Sequence, residues 1–371
     1  VTLRSVETCE AAGLPGLREL APELCASEAE DLFSSHAWFE TLQAHGFAPA
    51  ARVLSPIARD PVSGAALALP LVEDHGLAAF ANYYSCLYAP ITNRPDLAPA
   101  LVAALVPYLR NRSPRPPALR FAPLDADGWF ALALRPALAK AGYIAQTYFS
   151  FGNWYLRVDG RSYAQYFAAL PAVLRNTVQR RERRLARAGA WSVSIATSEA
   201  DLLETAIADF QKVYALSWKN AEPYPHFIPA LCRTAARHGW LRLGVLRLGA
   251  TPIAAQLWLH HRGKSMIYKL AYDQGCERFS PGTILTAAMM RHALDTDRAT
   301  EVDYLSGDDA YKRAWMSHRR ERIGIVGFDP RSALGLAAAA HHLLGRAWRR
   351  LYPPGRPTAY TRAGPVNGGV G

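Results

Sequence analysis

Leu241–Leu248 (LRLGVLRL), Pro252–His261 (PIAAQLWLHH) and Ser265–Ala271 (SMIYKLA) are three apolar runs of strand length, separated only by Gly249-Ala250-Thr251 and Arg262-Gly263-Lys264. Short glycine-bearing links join antiparallel neighbours, so the runs predict a three-strand meander. Downstream, Ser280 and Pro281 suit an N-cap and first helical position, which predicts a helix from Pro281 to about Leu294. Strands at Glu301–Leu305 and Arg322–Phe328 follow. Upstream, the expected order is a strand at Trp154–Val158, a helix at Ser162–Leu170, and a helix from Pro171 to about Ala188, stopped by Gly189. A strand at Trp191–Ala196 comes next, then a helix capped by Ser198, with Asp201 three residues on, ending near Trp218. Strands interleaved with helices in this order predict an α+β arrangement around one mixed sheet.

The first half reads as a weaker version of the same order. A helix is expected over Ser35–His45 and β-runs over Ala51–Ala58 and Ala65–Val72. Leu97–Arg110 has helical spacing, Leu119–Phe121 is a short strand, Asp127–Ala141 is a helix closed by Gly142, and Tyr143–Phe149 is a strand. The shared order suggests two similar domains in tandem, residues 1–150 and 151–329, the first degenerate. Residues 330–371 form a tail. In it Ala333–Leu351 is an Ala/Leu-rich helix ending in Arg346, Trp348, Arg349 and Arg350, and Pro353–Gly371 has a disordered composition.

A length of 371 residues leaves room for two cores, and 50% hydrophobic with 20% charged residues is a globular balance. No stretch reaches the roughly 18 apolar residues of a membrane span, and Val1–Glu10 lacks a secretory signal pattern, so a cytoplasmic location is expected. The 5 cysteines are scattered and unpaired in pattern, which reads as reduced thiols. A net charge of +11 favours an anionic partner without choosing among phosphorylated cofactor, nucleic acid and membrane surface. The histidine pairs His260/His261 and His341/His342 lack metal-ligand spacing, so no metal site is expected.

Three segments can carry chemistry. Arg278-Phe279-Ser280-Pro281-Gly282-Thr283 joins a strand to a helix N-terminus, whose free N–H groups suit a pyrophosphate; a well-capped helix and nothing more is the plain alternative. Asp303-Tyr304-Leu305-Ser306-Gly307-Asp308-Asp309-Ala310-Tyr311-Lys312 follows a strand end. There Asp308 or Asp303 is a candidate base, and Tyr311 or Lys312 a candidate proton donor or phosphate ligand. On the Pro171–Ala188 helix, Arg180, Arg183, Arg184 and Arg187 share one face and Leu174, Val178 and Leu185 another, leaving a cationic face for phosphates or solvent. Trp218 and Lys219, and Gln256, Lys269 and Tyr272 in or beside the meander, are candidate substrate contacts, because polar groups within apolar strands need partners or an open cleft.

Ser217-Trp218-Lys219, Pro252-Ile253-Ala254-Ala255, Tyr268-Lys269-Leu270-Ala271-Tyr272-Asp273, Ser280-Pro281-Gly282 and Asp303-Tyr304 with Gly307-Asp308 and Tyr311-Lys312 stand in a familiar order. Together they resemble the CelD/BcsL-type acetyltransferases linked to cellulose and exopolysaccharide biosynthesis, with Fem-type aminoacyltransferases as wider relatives. The resemblance is strongest over Ser162–Trp315. It implies a GNAT fold, often as two tandem domains, with acetyl-CoA or another acyl-CoA as co-substrate. The CoA loop of such enzymes has the form [Q/R]xxGx[G/A]. Here Arg278, Ser280, Gly282 and Thr283 occupy it, with Pro281 at the first glycine. Fem-type relatives lack the loop too and use aminoacyl-tRNA.

The resemblance therefore implies acyl transfer to an amine or hydroxyl of a small-molecule or lipid-linked sugar precursor. Asp308 is the expected base, and Tyr311 and Lys269 the groups near the leaving group or acceptor. Transfer from aminoacyl-tRNA, with the basic face holding RNA, is one alternative. A non-catalytic tandem module is another, and the tail helix with Trp348 offers peripheral membrane contact in that case.

Overall fold

The computed structural model describes residues 5–200 and 202–351, with side chains described to residue 344. Among these residues fourteen strands form one continuous sheet. Its middle is an antiparallel pair of long strands, Ile144–Arg157 and His318–Phe328. Ile144–Arg157 also pairs with Glu301–Asp303, and His318–Phe328 also pairs with Ala118–Asp125. Each long strand thus takes part in both halves of the sheet.

The halves repeat one pattern around that pair. In the first, Leu77–Ala79 runs parallel to Ala118–Asp125, with the Ala98–Arg110 helix between them in sequence. In the second, Lys264–Tyr272 runs parallel to Glu301–Asp303, with the Pro281–Arg291 helix between them. A helix then leads into the long strand in each case: Trp129–Lys140 into Ile144–Arg157, and Ala310–Trp315 into His318–Phe328. The repeat expected from element order is present in space. The expected strands at Tyr143–Phe149 and Trp154–Val158 are one strand, which runs unbroken through residue 150. A register shift leaves Ser150 as an extra residue opposite Arg322 and Ile323. Such a bulge sharpens the local twist of the strand where the two halves join.

The meander forms as expected, with Leu241–Leu248, Thr251–His261 and Lys264–Tyr272 in antiparallel order and Trp191–Ala196 on the outer edge. Its two faces carry different helices. One face packs with Leu203–Ala215, Phe227–Arg237 and the first half in a single core. The other packs with Ala172–Ala188 and Pro281–Arg291. Aromatic contacts fasten the halves: Tyr84 stacks on Phe227 at 4.0 Å and Trp38 meets Phe227 edge-on at 5.8 Å. Val178 and Leu185 are the buried residues of Ala172–Ala188, and Gly189 ends it, as the amphipathic pattern requires.

Local signals failed at two caps. Ser198 does not cap a helix. The helix begins at Leu203 and ends at Ala215, with Leu202 before it in the left-handed region, and Asp201 lies outside the described residues. Ser280 sits at φ +50° with no side-chain cap bond, although Pro281 does occupy the first turn. The Phe227–Arg237 helix, the Glu7–Ala11 strand and the Gly13–Leu20 helix have no counterpart in the sequence reading. The tail helix Ala333–Leu351 is present, whereas Pro353–Gly371 lies outside the described residues.

Candidate functional site

The site starts where two parallel strands part. Lys264–Tyr272 and Glu301–Asp303 pair only from Lys264 opposite Glu301 to Met266 opposite Asp303. Beyond that the first continues to Tyr272 and the second leaves the ladder. On its other edge Lys264–Tyr272 carries a bulge. Leu257 faces Lys269 and Trp258 faces Ile267, so Tyr268 is the extra residue. The bulge turns both Tyr268 and Lys269 toward the first half, which strict alternation would forbid. The Tyr268 hydroxyl donates to the Tyr84 carbonyl at 2.8 Å.

Lys269 anchors a polar cluster between the halves. Its Nζ donates to Glu222 Oε1 at 2.9 Å and to the Tyr83 hydroxyl at 3.1 Å, and it lies 4.3 Å from the Tyr83 ring centroid. Burial, with the Glu222 charge second, pushes the Tyr84 hydroxyl well above its usual range. Lys312 is buried, donates to the Ser306 carbonyl, and pairs with Asp309 at 3.0 Å. Gly307 closes this turn at φ +94°, and a Cβ there would stand 2.7 Å from Lys312 Nζ. Lys219 lies 5.7 Å from the Trp218 ring. Its ammonium is pushed down to about 8, by burial first and then by the charge of Lys269, against the pull of Glu222. Cys86 borders the same groups, and burial pushes its thiol up to about 11. Tyr83, Trp218 and Tyr311 are exposed aromatics next to Lys269, Lys219 and Lys312.

The segment read from sequence as a phosphate loop opens the Pro281–Arg291 helix. Gln256 faces it from the meander and donates to the Gly282 carbonyl at 3.1 Å and Thr286 Oγ1 at 2.8 Å, while accepting from Trp258 Nε1. A Cβ on Gly282 would stand 3.2 Å from the Tyr272 ring, and Trp218 packs on Tyr272 at 4.6 Å. The backbone N–H of Thr283 bonds to the Ser280 carbonyl, so that donor is already used. Arg278 and Arg184 lie 4.8 Å and 5.9 Å from the Phe279 ring, and Arg181 donates to the Arg278 carbonyl. The arginine helix therefore docks beside the segment read from sequence as a phosphate loop. Arg180, Arg183 and Arg187, with Asn176, line an open surface hollow on its outer side.

The two aspartates singled out as bases are placed otherwise. Asp303 is fully buried. Its Oδ1 accepts from Asn153 Nδ2 at 2.5 Å and Leu305 N at 2.6 Å; its Oδ2 accepts from Arg320 Nη2 at 2.5 Å and lies 3.4 Å from Lys264 Nζ. Burial alone would raise its carboxyl, but the charges of Lys264, Arg320 and Arg322 hold it far below the usual range. Asp308 is exposed and gripped at both oxygens by Arg319 at 2.8 to 3.1 Å, which lowers its carboxyl too. Neither has a free oxygen. Tyr311 meets Tyr304 edge-on at 5.8 Å. The sequence reading passes over Tyr83, Tyr84 and Glu222. A Tyr-Tyr pair inside the turn-forming run Asn82–Ser85, and an acid beside Pro223, are the local signals that mark them.

Among the described residues no group of His, Cys, Asp and Glu is arranged to hold a metal ion, and no helix is long and apolar enough to cross a membrane. Residues 172–313 match the model of the acetyltransferase (GNAT) domain. No curated protein matches the chain. Among solved structures it is similar to FemX, at 12% identity and TM-score 0.60, over 91% of this chain and 99% of that one. It is also similar to the C-terminal domain of a candidate lysylphosphatidylglycerol synthetase from Agrobacterium fabrum, at 12% identity and TM-score 0.54, over 91% and 97%. A conserved protein of unknown function from Bacteroides thetaiotaomicron is similar at 10% identity and TM-score 0.51, over 87% and 100%. At these identities the likeness is one of fold.

Proposed function

We propose, on the premise that this chain is an acyltransferase of the GNAT fold, that it moves an acetyl or longer acyl group from acyl-CoA to an amine or hydroxyl acceptor held between its two halves. The observation that carries this reading is the continuity of the site. A helix N-terminus flanked by Arg278 and Arg184 follows a bulged strand that carries Lys269 of the Lys219, Lys269 and Lys312 cluster. Guanidiniums suit the pyrophosphate arm of CoA. The gap between the parting strands takes the pantetheine in extended form. At the bulge the strand's own ladder is interrupted, which leaves a backbone N–H for the carbonyl oxygen of the thioester as it gains charge. Exposed aromatics and lysines on the far side fit an acceptor with a sugar or nucleobase face and a phosphate or carboxylate.

Calorimetric titration with acetyl-CoA and a longer acyl-CoA at moderate salt tests this. Micromolar binding that weakens about tenfold in Arg278→Ala is expected, roughly the loss of one charge-assisted contact. No binding to either ester sinks it.

A second reading has its own observation. Arg180, Arg183 and Arg187 carry no carboxylate partner among the described residues and face outward beside the donor end. That face suits the backbone of an aminoacyl-tRNA, and binding to charged tRNA that falls steeply with salt would favour it. The CelD/BcsL branch and an exopolysaccharide or lipid-linked acceptor rest on the sequence resemblance alone. Peripheral membrane contact through Ala333–Leu351 is likewise a proposal. Leu334, Leu336, Leu343 and Leu344 are exposed there, and the Trp348 and arginine side chains lie outside the described residues.

A further inference from the structure

Glu222 sits in the loop between the Leu203–Ala215 and Phe227–Arg237 helices, with its side chain only 10% exposed. Oε1 is held by Lys269. Oε2 is buried and has no hydrogen-bond partner. An unmet buried carboxylate oxygen costs free energy, and a fold retains one where a ligand or reactant supplies the missing donor. The other carboxylates near the cleft are spent differently. Asp303 and Asp308 have both oxygens engaged, and Asp309 is exposed beside Lys312. The remaining polar groups around Glu222 are the hydroxyls of Tyr83, Tyr84, Tyr214 and Tyr268 and the ammoniums of Lys219 and Lys269. Tyr84 donates to the Tyr224 carbonyl, Tyr268 donates to the Tyr84 carbonyl, and Tyr83 accepts from Lys269. The cluster therefore holds one buried carboxylate oxygen, Glu222 Oε2, that accepts no hydrogen bond of normal geometry. It is one ion pair away from the Tyr268 bulge, where the thioester is expected.

We propose that Glu222 is the general base of the acyl transfer, its Oε2 taking the N–H or O–H of the acceptor. The inference rests on the acyl-transfer reading and names the proton acceptor of that same site. The acceptor's lone pair forms a bond to the thioester carbonyl carbon, the C–S bond breaks, and its electron pair leaves on the CoA thiolate. The acceptor's proton passes to Glu222 Oε2. The thiolate then takes a proton from solvent and Glu222 returns its own to solvent, so the net products are acylated acceptor and free CoA thiol. Lys269 orients the carboxylate by holding the other oxygen.

The test compares the full chain with Glu222→Gln and Glu222→Asp. Acetyl-CoA binding is read by calorimetry, and release of CoA thiol is followed from pH 5 to 9 with water alone and with glucosamine 6-phosphate as nucleophile. The expected result is a kcat lower by about 100-fold or more in the Gln variant, with acetyl-CoA binding unchanged within about twofold. Partial recovery in the Asp variant is expected, and it serves as the test if the Gln variant fails to fold. A Gln variant with wild-type kcat overturns the proposal and leaves the acyltransferase reading standing. A wild-type chain that binds acetyl-CoA yet releases no thiol also overturns it, because a competent base beside a bound thioester would activate water. A wild-type chain that binds no acetyl-CoA brings down the acyl-CoA reading itself, a result distinct from either of these.

Discussion

Replacing Asp303 by Asn separates an architectural carboxylate from a chemical one. The wild-type carboxylate accepts from Asn153, Leu305 and Arg320 and sits 3.4 Å from Lys264, with no exposed surface. An amide of the same shape keeps one carbonyl oxygen for the Leu305 N–H. Its NH2 then faces the guanidinium of Arg320, donor against donor, and the charge that balances Lys264 and Arg320 is gone. Losing one charge-assisted bond costs about 1.5–3 kcal/mol, and removing one partner of a buried ion pair about 3–5 kcal/mol. Arg320 keeps Glu301 at 2.7 Å and Lys264 keeps Asp31 at 3.2 Å, which places the loss at the low end of that range. About 3 kcal/mol is expected, or about 1 M in the urea midpoint at a slope near 3 kcal/mol/M. The folded carboxyl lies below its unfolded value of 3.8, so its contribution is fully present above that pH and fades as pH falls through and below it. The gap between wild type and Asp303→Asn, measured by urea unfolding at pH 7, 5 and 3.5, should be constant between the first two and shrink at the third. A variant as stable as wild type at pH 7 but inactive would refute the reasoning and return Asp303 to the chemistry.

Packing and protonation give two further outcomes. His260 and His292 are held below 6.5, by burial first and then through the balance of Asp297 against Arg242, with His261 also acting on His260. A depressed histidine contributes stability above its unfolded value and loses it as pH falls, so the melting temperature should drop between pH 6.5 and 5. The His260→Gln/His292→Gln double variant should flatten that decline, and an unchanged slope would exclude these two as its source. In the meander, a Cβ on Gly244 would overlap Met289 Sδ, inside the core shared with Pro281–Arg291. Gly244→Ala should cost about 1–3 kcal/mol by overpacking, and Met289→Ala in the same chain should recover part of it. Additive losses in urea midpoints would show that the two do not touch.

Legibility in the sequence tracked the range of the interaction. The meander was readable because alternation and glycine links act within a few residues, and Gly142 was readable as a helix stop because its φ of +80° is a local demand. The Arg180, Arg183 and Arg187 face was readable from helical periodicity, as were the buried Val178 and Leu185. Ser280 misled because a good capping residue was placed in a left-handed turn set by the preceding Gln274–Phe279 segment. Asp303 and Asp308 misled for a different reason. A carboxylate after a strand end has the same local signature whether it meets a substrate or an arginine, and the partners here, Arg320 and Arg319, come from the next strand.

Composition and local pattern were sufficient for the α+β class, the meander and the positions of the basic helix and the Pro281 helix, since each depends on near neighbours along the chain. Tertiary structure alone decided three things. Two long strands are shared between the halves, because edge pairing is a choice among distant partners that sequence period does not encode. The bulge at Tyr268 turns Lys269 toward the first half, because one extra residue in a ladder reverses the facing of the residues after it. Tyr83, Lys269 and Glu222 meet only because the core that fixes Tyr84 against Phe227 brings together loops more than a hundred residues apart, a juxtaposition that burial of apolar surface pays for and that no local signal announces.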